Sequence, residues 1–415
     1  MTAEPDIVIV GAGAAGIGAA RRLAGSGLAV QVIEALPRTG GRAWTRQAAG
    51  VPLDVGCEWL HSGDRNPWTR IAGETGFTVD RRPPAWASQH PDLGFPVAEQ
   101  EEADRAFAEW SERLAAVAGT SDCAADALEP GGRWNPYLQA LSGFISGDRL
   151  ERISIRDYCA YDAASTGVNW RVKEGYGTLI AASFPESAAL RLATPVEAIG
   201  LEGSGVWLAT PAGTIKARLA ILTVSTNVLA GGAIRLPPAL DAWREAAARL
   251  PLGRDEKLFL EIVGTGPFAP ESHATGDPYD ASTGTYYIRP FGWPVIECFL
   301  GADGARNASQ EGADAAFERA IGQIVRVFGA QARHHLRPLV ASDWFGTPSI
   351  GGAYSHALPG HAAARGVLAQ PFDDRLLFAG EATHATDFST AHGAYESGQR
   401  AAEQAIAILQ RHRRS

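Results

Sequence analysis

DIVIVGAGAAG, residues Asp6 to Gly16, joins an apolar β-branched run to three glycines spaced G-x-G-x-x-G. The run Ile7-Val8-Ile9-Val10 reads as a buried parallel strand. A helix follows, roughly from Ala14 to Ala24, with Gly16, Ala19 and Ala20 forming a small-residue side. Gly11 permits a tight turn, Gly13 lets a pyrophosphate approach the backbone, and Gly16 lets the helix pack closely on the strand. The free N–H groups of the first helical turn, that of Ala15 among them, face the phosphate. A second strand, Val30 to Ile33, ends in Glu34, which lies 18 residues beyond Gly16. That is close to the spacing of a ribose-binding acid. Together these features predict a dinucleotide-binding α/β unit. The alternative is a glycine-rich turn in some other α/β protein.

The chain has 415 residues, too many for one ordinary core and enough for two. Hydrophobic residues make up 46% and charged residues 20%, ordinary for a globular protein. The net charge is −9, and the only basic cluster is Arg411, Arg413 and Arg414, so no nucleic-acid partner is expected. Those arginines suit the negative end of a last helix. Cys57, Cys123, Cys159 and Cys298 are scattered without zinc-like spacing. They read as buried free thiols in a reducing compartment, and a cytoplasmic location is expected. No signal-peptide pattern and no apolar run of about 18 residues is visible, so neither export nor a membrane span is expected. No metal site is expected, and the oligomeric state is left open.

The far end of the chain holds the complement. In RLLFAGEATHATDFSTAHGAYESGQRAAEQAI, Arg375 to Ile406, the apolar run Leu376 to Ala379 halts at Gly380-Glu381. A helical pattern opens at Ala391, with Ala394, Gly398, Ala401, Ala405 and Ile408 as a narrow small-residue stripe. Near the first unit, Gly40-Gly41-Arg42 resembles the loop of glutathione-reductase-like flavoproteins, where Arg42 helps hold the pyrophosphate. No second G-x-G-x-x-G occurs, because Gly264-Thr265-Gly266 runs into Pro267, which lacks the N–H and the helical continuation. One dinucleotide site points to a flavin enzyme that takes electrons directly from its substrate. A helix N-terminus at Ala391 aimed at the flavin N1 and C2=O stabilises the charge that builds there on reduction. Glu381 is placed to hydrogen-bond the ribityl chain. Alternatively, Glu381 is a capping acid and the helix a surface helix.

The set Gly11, Gly13, Gly16, Glu34, Gly40-Gly41-Arg42, Phe378-Ala379-Gly380-Glu381 and Thr390-Ala391-His392-Gly393-Ala394 resembles the FAD-dependent amine oxidase family. That family includes monoamine oxidases, polyamine oxidases and lysine-specific histone demethylases. The likeness spans nearly the whole chain. Asp54 to His61, followed by Asn66-Pro67, is similar to the stretch lining the flavin face in polyamine oxidases. Leu250-Pro251-Leu252-Gly253 precedes Lys257, where the family has its lysine. Trp344 with Gly351 to Ser355 resembles the family's aromatic wall. The resemblance implies a glutathione-reductase-like FAD-binding Rossmann domain, α/β in class, with an α+β substrate domain. Thr390-x-His392-Gly393-Ala394 places it nearest the polyamine oxidase and demethylase branch.

Roles follow from the resemblance. On its own residues Lys257 reads as a strand-edge lysine in a surface salt bridge. The family implies instead a buried lysine that reaches the flavin N5 through a water, with a lowered pKa. Tyr354 is one wall of an aromatic cage suited to an amine, or else ordinary core. The second cage position falls on Thr390. Ala353 stands where monoamine oxidases carry the flavin-linked cysteine, which implies non-covalent FAD. His61, beside Glu58, either contacts a distal amine, acts as a pH-sensitive contact, or is a satisfied loop histidine. Trp59 stands where amino-acid oxidases carry a carboxylate-binding arginine, against an α-amino acid substrate. Val196 falls where the family's backbone contacts adenine, and His392 is expected to fix the helix start. Ser225-Thr226 departs from the family's usual proline in that turn.

The expected FAD-binding domain is discontinuous, 1–66, 174–247 and 350–415. The inserts 67–173 and 248–349 form the substrate domain, the first helical (Glu99 to Val117) and the second strands (Lys257 to Val263, Gly284 to Ile288, Val295 to Leu300) with a helix (Gly312 to Phe328). The expected function is oxidation of a small amine to an imine, with O2 reduced to hydrogen peroxide. The alternatives are a desaturase or amino-acid oxidase of the same fold, a peptide demethylase-like protein, and a non-catalytic FAD scaffold.

Overall fold

In a computed structural model describing residues 4–87 and 95–412, Ile7–Val10 is the central strand of a five-stranded parallel sheet. The order is Leu376–Phe378, Leu219–Leu222, Ile7–Val10, Val30–Ile33 and Ala189–Arg191, every neighbouring pair parallel. Parallel sheets are covered on both faces, and this one divides its residues accordingly. Ile7 and Ile9 enter a core shared with the helices Ala14–Leu23 and Ala391–His412. Val8 and Val10 enter a second core under the antiparallel sheet Ala198–Glu202, Gly205–Thr210 and Gly213–Ala217.

The expected small-residue contacts are present and tight. A Cβ built on Gly16 would lie 1.9 Å from the Gly11 carbonyl oxygen. Between the two helices, a Cβ on Gly18 would lie 2.3 Å from the Tyr395 oxygen, and one on Gly398 would lie 1.9 Å from the Ala15 oxygen. The chain's first helix and its last therefore touch backbone to backbone. Arg411, near the end of the last helix, pairs with Asp374 at 3.0 Å. Arg413 and Arg414 lie outside the described residues.

The second sheet is antiparallel, in the order Ser272–Thr275, Thr285–Ile288, Val295–Gly301, Asp255–Ile262 and Leu336–Ala341. Period-2 alternation sorts its two faces. Leu258, Leu260, Ile296 and Cys298 pack under the helix Ala313–Phe328. Asp255, Lys257, Glu297 and Phe299 face a cavity. The first insert is helical as expected: Pro67–Thr75, Val97–Val117, Asn135–Ser146 and Ile155–Ala164. Asn66 caps the first of these by accepting from Trp68 N at 3.0 Å.

Several expectations change. Lys257 is not at a strand edge, since its strand is flanked on both sides. Only Cys298 is fully buried; Cys57, Cys123 and Cys159 are half-buried, and all four are free. The departure at Ser225 has a local solution. Ser225 caps the helix Thr226–Gly231, accepts from Val228 N at 3.2 Å and donates to Ile350 O at 2.6 Å. Among the described residues, no helix is long and apolar enough to cross a membrane.

Candidate functional site

A cavity of about 1180 Å³ runs between the two sheets. Of the residues singled out from the sequence for the site, all but Gly16 line it. Gly11, Gly13, Ala15, Glu34, Gly41, Arg42 and Val196 line one end, with Gly380, Glu381, Thr390 and Ala391 from the other terminus. His61, Lys257, Trp344 and Tyr354 line the same cavity. Gly16 is instead consumed by helix–strand contact.

The nucleotide end fits a pyrophosphate on structural grounds. Gly13 precedes the first helix without any side-chain cap, and no acid sits in its first turn. Its leading N–H groups are thus available to an anion. Gly11 holds φ at +109°, Gly40 at +96° and Gly41 at +60°, conformations that favour glycine. Glu34 is buried, with one oxygen accepting from Ala12 N at 2.6 Å and the other from Leu36 N at 2.8 Å. It thereby braces the glycine turn while facing the cavity.

Where the termini meet, Glu381 is fully engaged. It accepts from Arg42 Nη1 at 3.0 Å, Ser355 N at 3.2 Å, Ser355 Oγ at 2.6 Å and Ser389 N at 2.9 Å. Burial pushes its carboxyl up, but Arg42 and Arg365 outweigh this and hold it below its ordinary value. Arg42 also donates to the Ala353 carbonyl. One carboxylate therefore ties the Gly40-Gly41-Arg42 loop to the start of the last helix.

Thr390 is buried and caps that helix rather than presenting a free hydroxyl. It accepts from Gly393 N at 3.0 Å and donates to Asp387 O at 2.6 Å. His392 supports the same corner, 3.2 Å from Asp387 and 3.3 Å from Asn66. Trp344 donates from Nε1 to Val55 O at 3.0 Å. The hydroxyl of Tyr354 donates to Phe144 O at 2.6 Å, and its ring faces the cavity. His61 lies 2.7 Å from Asn169 Oδ1, and burial lowers its pKa, so it is held neutral.

Lys257 departs most from expectation. Its Nζ lies 2.7 Å from Glu297 Oε1, 3.0 Å from Glu58 Oε2 and 3.1 Å from Asp54 O. An ammonium has three donors, and all three are occupied. Burial disfavours the charge, but Glu297 and Glu58 outweigh it and raise the pKa. The expected lowering is therefore wrong, because the resemblance says nothing of this chain's two acids. Burial pushes Glu58 up, yet Lys257 brings it below its ordinary value. Burial and the charge of Glu58 drive Glu297 well above its own. Glu297 was missed. Its one sequence signal is a lone acid inside Val295-Ile296-Glu297-Cys298-Phe299-Leu300.

Comparison with known proteins follows this geometry. A family model described as "Flavin containing amine oxidoreductase" matches residues 94–406, and a second, "NAD(P)-binding Rossmann-like domain", matches residues 9–75. Polyamine oxidase 1 of Oryza sativa subsp. japonica is 28% identical, over 99% of this chain and 98% of its own. Polyamine oxidase 2 of Arabidopsis thaliana is 26% identical, over 99% and 90%. A lysine-specific histone demethylase 1 homolog of Oryza sativa subsp. japonica is 26% identical, but this chain spans 53% of it. The solved structure of wild-type putrescine oxidase bound to putrescine matches at TM-score 0.78 with 20% identity, covering 98% of this chain and 99% of that one.

Proposed function

The chain belongs to the family of flavin containing amine oxidoreductases, and from that premise we propose that it oxidises a small di- or polyamine to an imine, holding FAD without a covalent link. The observation that carries this reading is the single cavity lined by the nucleotide fingerprint, the last helix and Lys257 together. The polyamine oxidases it resembles along nearly their whole length support the substrate class. The lysine demethylase reading is less supported, since the chain spans 53% of that relative.

The residues fit the cofactor. Gly11, Gly13 and Gly41 with the uncapped first helix would hold the pyrophosphate, Glu34 the ribose, and Val196 the adenine. Ala391 opens the helix that would face the ring. When bound, a flavin would supply the two-electron acceptor for the amine, with O2 as the final oxidant. Ala353 offers no thiol for a covalent bond. Cys57, also on the cavity wall, has its thiol pushed up to about 12 by burial with the Asp54 charge adding, so it is a poor nucleophile.

The chain's own residues then position and protonate. Trp344 and Tyr354 orient the amine by their ring faces. Lys257 holds Glu58 and Glu297 in one ion triad beside them. For Lys257 to turn a proton toward the cofactor, one of its three acceptors must let go. Glu297 is that acceptor, because protonation removes its charge. We assign 1–66, 174–247 and 350–415 to the cofactor domain and 67–173 and 248–349 to the substrate domain. We also propose a cytoplasmic location, which the four free thiols support.

A peroxide-release screen over polyamines, diamines, aromatic amines and cyclic amines tests the reading. Peroxide above buffer with an aliphatic di- or polyamine is the expected result. A purified yellow protein whose flavin stays oxidised in anaerobic mixtures with every amine would overturn it. Acid precipitation should leave the flavin in the supernatant.

A further inference from the structure

Asp255 opens the strand that carries Lys257, two residues before it, so both side chains leave the same face of the sheet and line the same cavity. It is 3% exposed, and neither carboxylate oxygen has a hydrogen-bond partner among the described residues. The Tyr354 hydroxyl is the neighbour within reach of it. Glu256 points to the opposite side and is fully engaged, accepting from Trp344 N at 2.8 Å, Phe345 N at 3.2 Å and the Ser342 hydroxyl. Arg254 stacks on Phe345 at 3.6 Å. The Tyr354 hydroxyl, beside Asp255, gives its proton to Phe144 O. Gly147 leaves room for the carboxylate, since a Cβ there would lie 2.5 Å from Asp255 Oδ2.

A buried carboxylate without a partner is costly, and such a group in a native fold calls for an explanation. Burial pushes its carboxyl well above the ordinary range, the Tyr354 hydroxyl beside it opposes this, and the nearby charges of Glu256 and Asp148 push up again. What it lacks is a cation bearing N–H donors. The site around it suits one, with Tyr354, Phe144 and Phe299 on the same cavity wall. Lys257 cannot serve, because its three donors are already taken. Asp255 stands about 7 Å along the strand from Lys257, a short methylene chain away.

We propose that Asp255 anchors the second, non-reacting ammonium of an α,ω-diamine or polyamine, and so selects such substrates over monoamines. This rests on the amine-oxidase reading. It assigns a residue to the discrimination, where the family premise assigns only an amine.

The test compares kcat/KM for diaminobutane and butylamine, which differ by one ammonium, in the wild-type holoenzyme and in Asp255→Asn. The wild type should prefer the diamine. The substitution should cut the diamine-to-monoamine ratio by about 100-fold, the loss expected on truncating one partner of a buried charge pair. A ratio unchanged in Asp255→Asn overturns the proposal, and so does a wild type that oxidises both compounds equally. A wild type reduced by neither, nor by any other amine, overturns the amine-oxidase reading instead. Should Asp255→Asn lose its flavin or its fold, competition in the wild type decides. Ethylene-, propylene- and butylene-linked bis-trimethylammonium ions should protect no better than their mono-ammonium counterparts, because they lack N–H donors, whereas diamines should protect better than monoamines. Equal protection by diamines and monoamines overturns the proposal.

Discussion

Glu297 Oε1 sits 2.7 Å from Lys257 Nζ although 40 positions separate the two residues in the chain. Both are almost wholly buried. Removing the ammonium leaves Glu297 and Glu58 without their cation. Lys257→Met is expected to cost about 3–5 kcal/mol, read as a lowered denaturant midpoint. Adding Glu297→Gln should restore part of that loss. Stopped-flow reoxidation of Lys257→Met should be slowed as well, and the double variant should not recover it.

Gly398 meets Ala15 where a Cβ would lie 1.9 Å from the Ala15 oxygen. Gly398→Val should force the first and last helices apart, costing about 3 kcal/mol and lowering the flavin content of the purified protein. Gly366→Ala is the control, since nothing lies within 4 Å of its added Cβ. It should be neutral or mildly stabilising.

Glu34 braces the glycine turn through Ala12 N and Leu36 N. Glu34→Ala strands those donors, at about 1–3 kcal/mol where water cannot reach them. The expected outcome is weaker flavin retention, seen as free-flavin fluorescence on dilution, with a smaller change in the melting of the apoprotein.

His356 is 3% exposed, and burial lowers its pKa from 6.5 to about 4, with Asp148 opposing. The unfolded chain takes up this proton first, so the native state is favoured above about pH 6.5 and loses that advantage as pH falls toward 4. The loss is on the order of 3 kcal/mol. Urea midpoints measured across this range should fall more steeply for the wild type than for His356→Gln.

Most of the architecture was readable because the strands alternate cleanly or are uniformly apolar. Ile7–Val10 and Leu219–Leu222 are buried on both faces, so each is an unbroken apolar run. The last helix was readable from its small residues, whose purpose is contact with Ala15 and its neighbours. Lys257 was placed by resemblance, but its protonation was not. The expected direction of its pKa failed because it depends on which strand pairs with Asp255–Ile262, a non-local register that no local pattern encodes. Thr390 was expected to face a substrate; its position just before a helix start favours capping, a preference visible in the sequence. Nothing in the sequence separates Asp255 from its neighbour Glu256, and only the fold shows that Glu256 is hydrogen-bonded while both Asp255 carboxylate oxygens lack a hydrogen bond.

The backbone contact of Ala15 with Gly398 also sets a timetable for synthesis. Residues 14–23 are made early, yet their covering helix begins only at Ala391. At about 5–20 residues per second, the first nucleotide-binding helix waits roughly twenty seconds to over a minute for its partner. During that interval its glycine face stays uncovered, so firm coenzyme binding should wait until the helix from Ala391 has been made, and chaperone demand should be highest just before then.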